Sequence, residues 1–276
     1  MNLVVQGPGV TAAQASDLAG LAGSTRLHKI GEHAWRIHNA APVGTIAPYC
    51  DKAHIDFAFM PEGRRFADLK LLAMDMDSTL ITIECIDELG DMVGLKNEIA
   101  SITAQAMRGE LDYPQSLRKR VGLLAGLGED ALLRVYEERL KLTPGAEALI
   151  AACKKHGVKL LLVSGGFTFF TDRLKERLGI DYTISNRLES AGGKLTGQLL
   201  GDIVDADAKA TKFRAVMKEL RATREQTVAI GDGANDLKMM AQAGVSVAFH
   251  AKPVVRAQAS CALTWSGLDA VVNLFE

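Results

Sequence analysis

The stretch MDMDSTL, residues 74–80, places two aspartates where an apolar strand should end. The run LLA, residues 71–73, comes directly before it and predicts a buried β-strand. Asp75 and Asp77 follow two residues apart. Like charges this close repel each other strongly in a poorly hydrated site, so they need a compensating cation. The stretch therefore predicts a strand end with a chemical role.

Apolar runs and helical patterns alternate along the chain after residue 68. This alternation predicts an α/β fold with a mostly parallel, doubly wound sheet. In such an open sheet the ligand binds outside the carboxyl ends of the strands. The predicted strands are residues 69–74, 158–163, 182–185, 227–230 and 246–249.

Three of these predicted strands are followed by acidic or glycine-rich motifs. DMDST follows the first strand, Ser-Gly-Gly from Ser164 follows the second, and GDGAND, residues 231–236, follows the fourth. The carboxyl ends of parallel strands meet at one edge of the sheet, so these motifs should share a small volume. The acidic residues expected there are Asp75, Asp77 and Asp232, with Asp236 in support.

A hard divalent cation is the simplest partner for such carboxylates. Mg²⁺ prefers oxygen ligands and commonly takes one or two carboxylates together with substrate phosphate. The glycines after Ser164 lie at a strand-to-helix turn and can leave backbone N–H groups pointing at an anion. Lys209 is a plausible lysine to offset phosphate charge. Metal with phosphate is therefore the predicted chemistry.

The two acids of the first strand end suit two different tasks. An aspartate held against Mg²⁺ can attack phosphorus and form an aspartyl-phosphate, which divides one difficult hydrolysis into two easier steps. Asp75 is the better candidate nucleophile because it lies closest to the rigid strand. Asp77 could protonate a departing alkoxide and later take a proton from water. Two acids favour hydrolysis of an alcohol phosphate over ATP-driven chemistry.

DMDST, VSGG, Lys209 and GDGAND, in this order, resemble the signature motifs of the haloacid dehalogenase superfamily of aspartate-nucleophile phosphatases. Within that superfamily, residues 69–276 are similar to the phosphoserine phosphatases, including DMDSTLITIECIDELG and GELDYPQSLRKRVGLL. The resemblance implies Mg²⁺-dependent hydrolysis of O-phospho-L-serine to L-serine and phosphate, the last step of serine biosynthesis.

The resemblance also implies a role for individual positions. Asp75 corresponds to the nucleophile and a Mg²⁺ ligand, and Asp77 to the general acid/base, whose backbone carbonyl also binds the metal. Asp232 matches the third protein ligand, and Asp236 supports the metal site. The substrate-binding positions are Glu84 for the amino group, Arg120 for the carboxylate, Ser164 and Gly165 for the phosphate, Lys209 for its charge, and Asn235.

Two further parts surround the predicted core. The helical stretch at about residues 84–142 is expected to form a cap inserted after the first strand. A polar segment near residues 62–68 predicts a boundary between a domain at 1–66 and a phosphatase domain at 67–276. The first of these has the order βαββαβ and resembles an ACT-like domain, which implies regulation or homodimerisation as hypotheses.

Composition excludes several classes of protein. The net charge of −1 provides no electrostatic reason to expect nucleic acid or a lipid surface as partner. The four cysteines form no CxxC pair, so neither zinc nor disulfides are indicated and a cytoplasmic location is expected. No apolar stretch has the length of a membrane span, and no signal peptide is apparent.

The pair Gly193-Lys194 resembles the end of a P-loop but lacks the sequence context that a P-loop requires, so it predicts a hairpin turn.

Three different functions remain open beside the phosphoserine phosphatase. The first is a related enzyme that hydrolyses another small phosphoester or transfers the phosphoryl group to an acceptor alcohol such as homoserine. The second is a receiver-like domain that stores phosphate on Asp75, and the third is a non-catalytic amino-acid sensor.

Overall fold

The computed structural model describes residues 1–276, apart from the side chain of residue 107. Its first part, the N-terminal unit, has the predicted order βαββαβ. The elements are β1 (Asn2–Gln6), α1 (Ala12–Leu21), β2 (Leu27–Gly31), β3 (Ala34–Ile37), α2 (Ile46–Ala53) and β4 (Asp56–Met60). The four strands form an antiparallel sheet in the order β2-β3-β1-β4.

The inner strands β1 and β3 of this small sheet are buried, whereas the edge strand β2 is partly exposed. Leu3 and Val5 of β1 pack with Leu18 of α1 in one apolar cluster. Val4, between them, points to the opposite face and joins the cluster of the second part of the chain, the core unit. Alternation of side chains along a strand accounts for this division. The capping box of Thr11 with Gln14 fixes the start of α1.

The core unit begins with β5 (Leu71–Asp75), and the chain then enters the helical cap. The cap consists of α3 (Cys85–Met92), α4 (Lys96–Met107), α5 (Tyr113–Gly122), α6 (Asp130–Arg134) and a helical turn at Val135–Arg139. The predicted insertion after the first core strand is therefore confirmed. Asp112 and Gln115 form a capping box that defines the start of α5.

The rest of the core unit completes a seven-stranded sheet. After the cap come α7 (Ala146–His156), β6 (Lys159–Phe167), α8 (Thr168–Leu178), β7 (Tyr182–Ala191), β8 (Lys194–Leu200), α9 (Ala206–Glu219), β9 (Thr227–Gly231), α10 (Leu237–Met240), β10 (Val245–Phe249), α11 (Pro253–Arg256) and β11 (Cys261–Leu263). The strand order is β11-β10-β9-β5-β6-β7-β8. All neighbours are parallel except β7 and β8, which form the hairpin predicted at Gly193-Lys194. The doubly wound α/β sheet is confirmed.

The two units are joined by polar contacts of the buried Asp56 as well as by apolar packing. The carboxylate of Asp56 in β4 accepts hydrogen bonds from the backbone N–H groups of Thr264 at 2.7 Å, Trp265 at 3.0 Å and Ser266 at 2.8 Å. Asp56 is only 3% exposed. The N-terminal unit is thus docked onto the segment that follows β11.

None of the helices in the described part of the chain has the length and apolar character that a bilayer crossing requires. All four cysteines are buried and unpaired with one another.

Candidate active site

The end of β5 holds its two aspartates in different ways. Asp75 is buried, and its Oδ1 accepts the N–H of Met76 at 2.7 Å. Asp77 turns toward the cap, where its Oδ1 accepts the N–H of Cys85 at 2.9 Å. Between Asp77 and the cap, Ser78 has a left-handed backbone with φ of 55°, which reverses the chain direction sharply.

The end of β9 contributes two more acids to the same volume. Carboxylate oxygens of Asp75, Asp232 and Asp236 lie within 4.8 Å of one another, an arrangement that could hold a metal ion. Asp236 is fully buried, and its Oδ2 accepts the N–H of Gly233 at 3.2 Å. A Cβ at Gly231 would lie 2.5 Å from Asp236 Oδ2, so this close approach requires glycine.

Lys209 of α9 lies beneath these acids and is 1% exposed. Its Nζ lies 3.0 Å from Asp75 Oδ1 and 2.8 Å from Asp236 Oδ1. Burial alone would lower the pKa of Lys209, but the charges of Asp236 and Asp75 outweigh it and raise the pKa, so the ammonium is retained.

The surroundings of the site aspartates disfavour their ionised form. Burial, followed by the charge of Asp236, raises the pKa of Asp75 well above its usual range and that of Asp232 to about 6. Burial also raises the pKa of Asp77, against the hydrogen bonds from Cys85. One lysine therefore does not neutralise the negative charge of the aspartates fully. A bound cation would supply the remaining positive charge.

The turn at residues 164–166, directly after the apolar part of β6, faces the same cluster. Ser164 is buried, and its Oγ accepts the N–H of Gly166 at 2.8 Å. The same Oγ lies 3.5 Å from Asp77 Oδ2. A Cβ at Gly166 would lie 2.7 Å from that carboxylate oxygen, so glycine lets the backbone approach the site.

Two cap residues face the site from above. Glu84, just before α3, accepts a 2.6 Å hydrogen bond from the hydroxyl of Ser78. Burial and then the charge of Asp77 raise the pKa of Glu84 to about 7. Arg120 of α5 has a buried Nε without a hydrogen-bond partner in the described part of the chain. Its positive charge acts on both Glu84 and Asp87.

Asn235 lies part-buried in the turn between Asp232 and Asp236. With it, the residues proposed from the sequence for this site lie at the strand ends, on the cap segments that face them or, for Lys209, on α9 next to Asp75 and Asp236. Three further residues contact the site although they are not among the site residues predicted from the sequence: Thr79, Tyr113 and Asn186.

A family model described as haloacid dehalogenase-like hydrolase matches residues 72–241, and a model described as a domain of unknown function matches residues 3–44. A phosphoserine phosphatase of Polaromonas sp. is 53% identical over 215 residues, which are 76% of this chain and 91% of that protein. The chain belongs to the haloacid dehalogenase-like hydrolases.

Solved structures of this hydrolase family extend the likeness to the three-dimensional fold. The unliganded crystal structure of a probable phosphoserine phosphatase from Vibrio cholerae has a TM-score of 0.87 and 39% identity, and covers 99% of this chain and 86% of that one. A phospho-aspartyl intermediate analogue of phosphoserine phosphatase has a TM-score of 0.71 and 38% identity, and covers 75% of this chain and 99% of that one. The Vibrio match includes the N-terminal unit.

The contacts of Thr79, Tyr113 and Asn186 explain why the sequence of this hydrolase did not predict their place in the site. Thr79 Oγ1 donates to Asp232 Oδ1 at 3.5 Å across 153 positions of sequence. Tyr113 and Asn186 both donate to the backbone carbonyl of Gly165. A backbone acceptor leaves no pattern in side-chain types, so only the folded chain brings these partners together.

Proposed function

We propose that this hydrolase converts O-phospho-L-serine and water to L-serine and phosphate through an aspartyl-phosphate on Asp75. The observation that carries the proposal is one site in which strand-end carboxylates, a buried lysine and a glycine turn face a cap that bears both an acid and an unpaired guanidinium. Phosphoserine carries the matching ammonium, carboxylate and phosphate. The phosphoserine phosphatases among its relatives support this choice.

Asp75 attacks phosphorus, and its orientation is set by Met76 N–H and by Lys209. Asp77 donates a proton to the serine oxygen as the ester bond breaks, a task that its raised pKa favours. It then takes a proton from the water that hydrolyses the aspartyl-phosphate and restores Asp75. Lys209 offsets charge on the transferred group throughout.

The acidic cluster has an all-oxygen donor set, which is the set that Mg²⁺ prefers. The residues that would hold Mg²⁺ are Asp75, Asp232 and the backbone carbonyl of Asp77, with Asp236 in support. When bound, Mg²⁺ neutralises charge that develops on the phosphoryl oxygens.

Substrate selectivity is assigned to the cap and to the turns. Glu84 binds the ammonium, and Arg120 binds the carboxylate, which gives its buried, unpaired Nε an anionic partner. Ser164 and Gly165 bind the phosphate through the 164–166 turn, and Asn235 contacts the substrate from the turn after β9.

A phosphate-release assay on a panel of small phosphoesters tests the proposal. Phosphoserine should give the highest kcat/KM, and removal of Mg²⁺ with a chelator should abolish release. A different ester preferred by more than about tenfold would reject phosphoserine as the substrate. Added homoserine distinguishes a phosphotransferase from a phosphatase, because a transferase would then form phosphohomoserine instead of phosphate.

Membership of a hydrolase family disfavours two functions without turnover, a receiver-like store of phosphate on Asp75 and a non-catalytic amino-acid sensor. Steady release of phosphate from phosphoserine, at many moles per mole of chain, would exclude both. A single mole of phosphate retained on the chain would instead favour the receiver-like function.

A second proposal concerns the domain division, the cellular location and the role of the N-terminal unit. We place the division between domains at residues 1–66 and 67–276, the protein in the cytoplasm, and a regulatory or dimerising role in the N-terminal unit. A homodimer would use the free edge at β2, because the other edge strand, β4, packs against β11 and His28 and Lys29 of β2 are exposed. Light scattering of the purified chain tests this, and a monomeric mass would reject the dimer.

A further inference from the structure

One hydrogen bond joins the cap directly to the 164–166 turn. The hydroxyl of Tyr113, in the first turn of α5, donates to the backbone carbonyl of Gly165 at 3.2 Å. Burial raises the pKa of Tyr113 to about 12, so the hydroxyl keeps its proton at neutral pH. It therefore remains a donor under working conditions.

The same carbonyl has a second donor that belongs to the core unit. Asn186 Nδ2 donates to Gly165 O at 2.8 Å, and Asn186 Oδ1 accepts the N–H of Val204 at 2.8 Å. Asn186 is buried in the core unit, so its contact does not depend on the cap. Tyr113 is the donor whose contact depends on where the cap lies.

The direction of this peptide group bears on Ser164, one of the proposed phosphate ligands. In a planar trans peptide, the C=O of Gly165 and the N–H of Gly166 point in opposite directions. Donors that fix the carbonyl therefore also fix the N–H, which here donates to Ser164 Oγ at 2.8 Å. Because Ser164 Oγ lies 3.5 Å from Asp77 Oδ2, a chain of polar contacts leads from the cap to the proposed acid/base.

The glycine at position 165 is explained by the same contact. A Cβ at Gly165 would overlap the hydroxyl oxygen of Tyr113 and approach its Cζ at 3.3 Å. The φ of Gly165 lies outside the left-handed region, so backbone conformation does not require glycine there. The contact with the Tyr113 hydroxyl is what requires glycine at position 165.

We propose that Tyr113 is a positioning residue that couples closure of the cap to the orientation of the 164–166 turn for phosphate binding. This inference rests on the proposed function, in which that turn holds the phosphate. The present O–H···O distance of 3.2 Å exceeds the usual value of about 2.7–2.8 Å, so movement of the cap toward the turn would shorten and strengthen the bond. Tyr113 acts on the phosphate site, which all phosphoesters use, whereas Arg120 acts on the carboxylate.

Calorimetric binding of inorganic phosphate to the full chain in Mg²⁺ tests the coupling. Tyr113→Phe keeps the ring and removes the donor, and should raise the phosphate Kd about five- to tenfold, the factor expected for one hydrogen bond. kcat/KM should fall by a similar factor for phosphoserine and for phosphoethanolamine. Tyr136→Phe is the matched control, since Tyr136 is a part-buried cap tyrosine whose hydroxyl makes no hydrogen bond in the described part of the chain. It should change neither quantity.

Unchanged phosphate affinity in Tyr113→Phe would overturn the proposal, and so would a loss confined to phosphoserine. Gly165→Ala provides a second test, because it displaces the hydroxyl without removing it. It should weaken phosphate binding, and by a smaller factor in the Tyr113→Phe background than in the wild-type chain. Unchanged affinity in Gly165→Ala, or equal factors in both backgrounds, would contradict the coupling. Phosphate binding needs no turnover, so a chain that binds phosphate without hydrolysing phosphoserine would reject the proposed function alone.

Discussion

Asp75 and Asp77 are two residues apart, yet their partners separate their tasks. Asp75 shares Lys209 with Asp236, and this positive charge opposes the burial that raises the pKa of Asp75. Asp77 is instead held by the N–H of Cys85, and its raised pKa helps it to retain a proton. Burial raises the pKa of both carboxyls, so their pKa values alone do not separate the two roles. The assignment rests on position, because Asp75 lies against Lys209 and Asp77 is turned toward the cap.

Asp75→Asn should reduce turnover of phosphoserine by about 10⁴-fold or more, because an amide has no anionic oxygen to attack phosphorus. Lys209 keeps Asp236 as its partner, so we expect the variant to fold. Acid quenching during turnover of radiolabelled phosphoserine should label the wild-type chain and leave the variant unlabelled. Asp207→Asn, which changes an exposed aspartate paired with Lys238, is the control. Labelled Asp75→Asn would show that the nucleophile is another residue.

The pKa of Glu84 predicts a specific pH dependence. Glu84 must be ionised to bind the substrate ammonium, and its pKa is raised to about 7 by burial and by Asp77. As the pH falls below 7 it takes up a proton, so kcat/KM for phosphoserine should fall by up to about tenfold per pH unit. With 3-phosphooxypropanoate, which lacks the amino group, this acid limb should be absent. Glu84→Gln should remove the difference between the two substrates, and a difference that persists would exclude this role.

At the scale of elements, α5 carries two of the cap residues assigned to the substrate region, and Glu84, just before α3, is the third. Tyr113 and Arg120 are seven residues apart, so two helical turns bring them to the same face. Arg118 is exposed on another side of the helix. The basic run at residues 118–120 therefore divides between solvent and site, a division that composition does not predict but helical geometry does.

Arg120→Ala should lower kcat/KM for phosphoserine roughly 100-fold, since a buried charge-assisted contact with a carboxylate is lost. The effect on phosphoethanolamine, which has no carboxylate, should stay within a few-fold. Arg118→Ala, on the same helix, is the matched control and should affect neither substrate. Equal losses on both substrates in Arg120→Ala would remove Arg120 from carboxylate recognition.

Most core strands could be predicted because the apolar pattern of a strand and the residues that end it are adjacent in sequence. β5 begins two residues later than predicted, after a short helical turn at Phe66–Asp68. β6 extends past the predicted end at residue 163 and includes the 164–166 turn. β11 has only three residues, too few to show any period, and was missed. The contacts of Tyr113 and Asn186 depend on a distant backbone carbonyl and required the structure.

At the scale of the whole molecule, the N-terminal unit reaches the base of the cap through the segment after β11. Asp56 binds the N–H groups at residues 264–266. Four positions after Thr264, Leu268 donates its N–H to the carbonyl of Pro144 at 2.8 Å. Residues 143–144 are where the chain leaves the cap, since Thr143 N–H donates to Leu80 O at 3.0 Å beside β5. The two units are thus linked mechanically at the point where the cap is anchored.

Asp56→Ala should therefore affect both stability and catalysis, although Asp56 lies outside the proposed active site. Three backbone N–H groups, those of residues 264–266, would lose their acceptor, at a cost of about 3 kcal/mol in the free energy of unfolding. Denaturant unfolding measures this loss, and kcat/KM for phosphoserine should fall a few-fold as the anchor of the cap loosens. Asp51→Ala is the matched control, because the exposed Asp51 also crosses the interface, 3.7 Å from Arg256, and should change stability little. If Asp56→Ala lost stability but kept wild-type kcat/KM, docking of the N-terminal unit would stabilise the fold without reaching the cap.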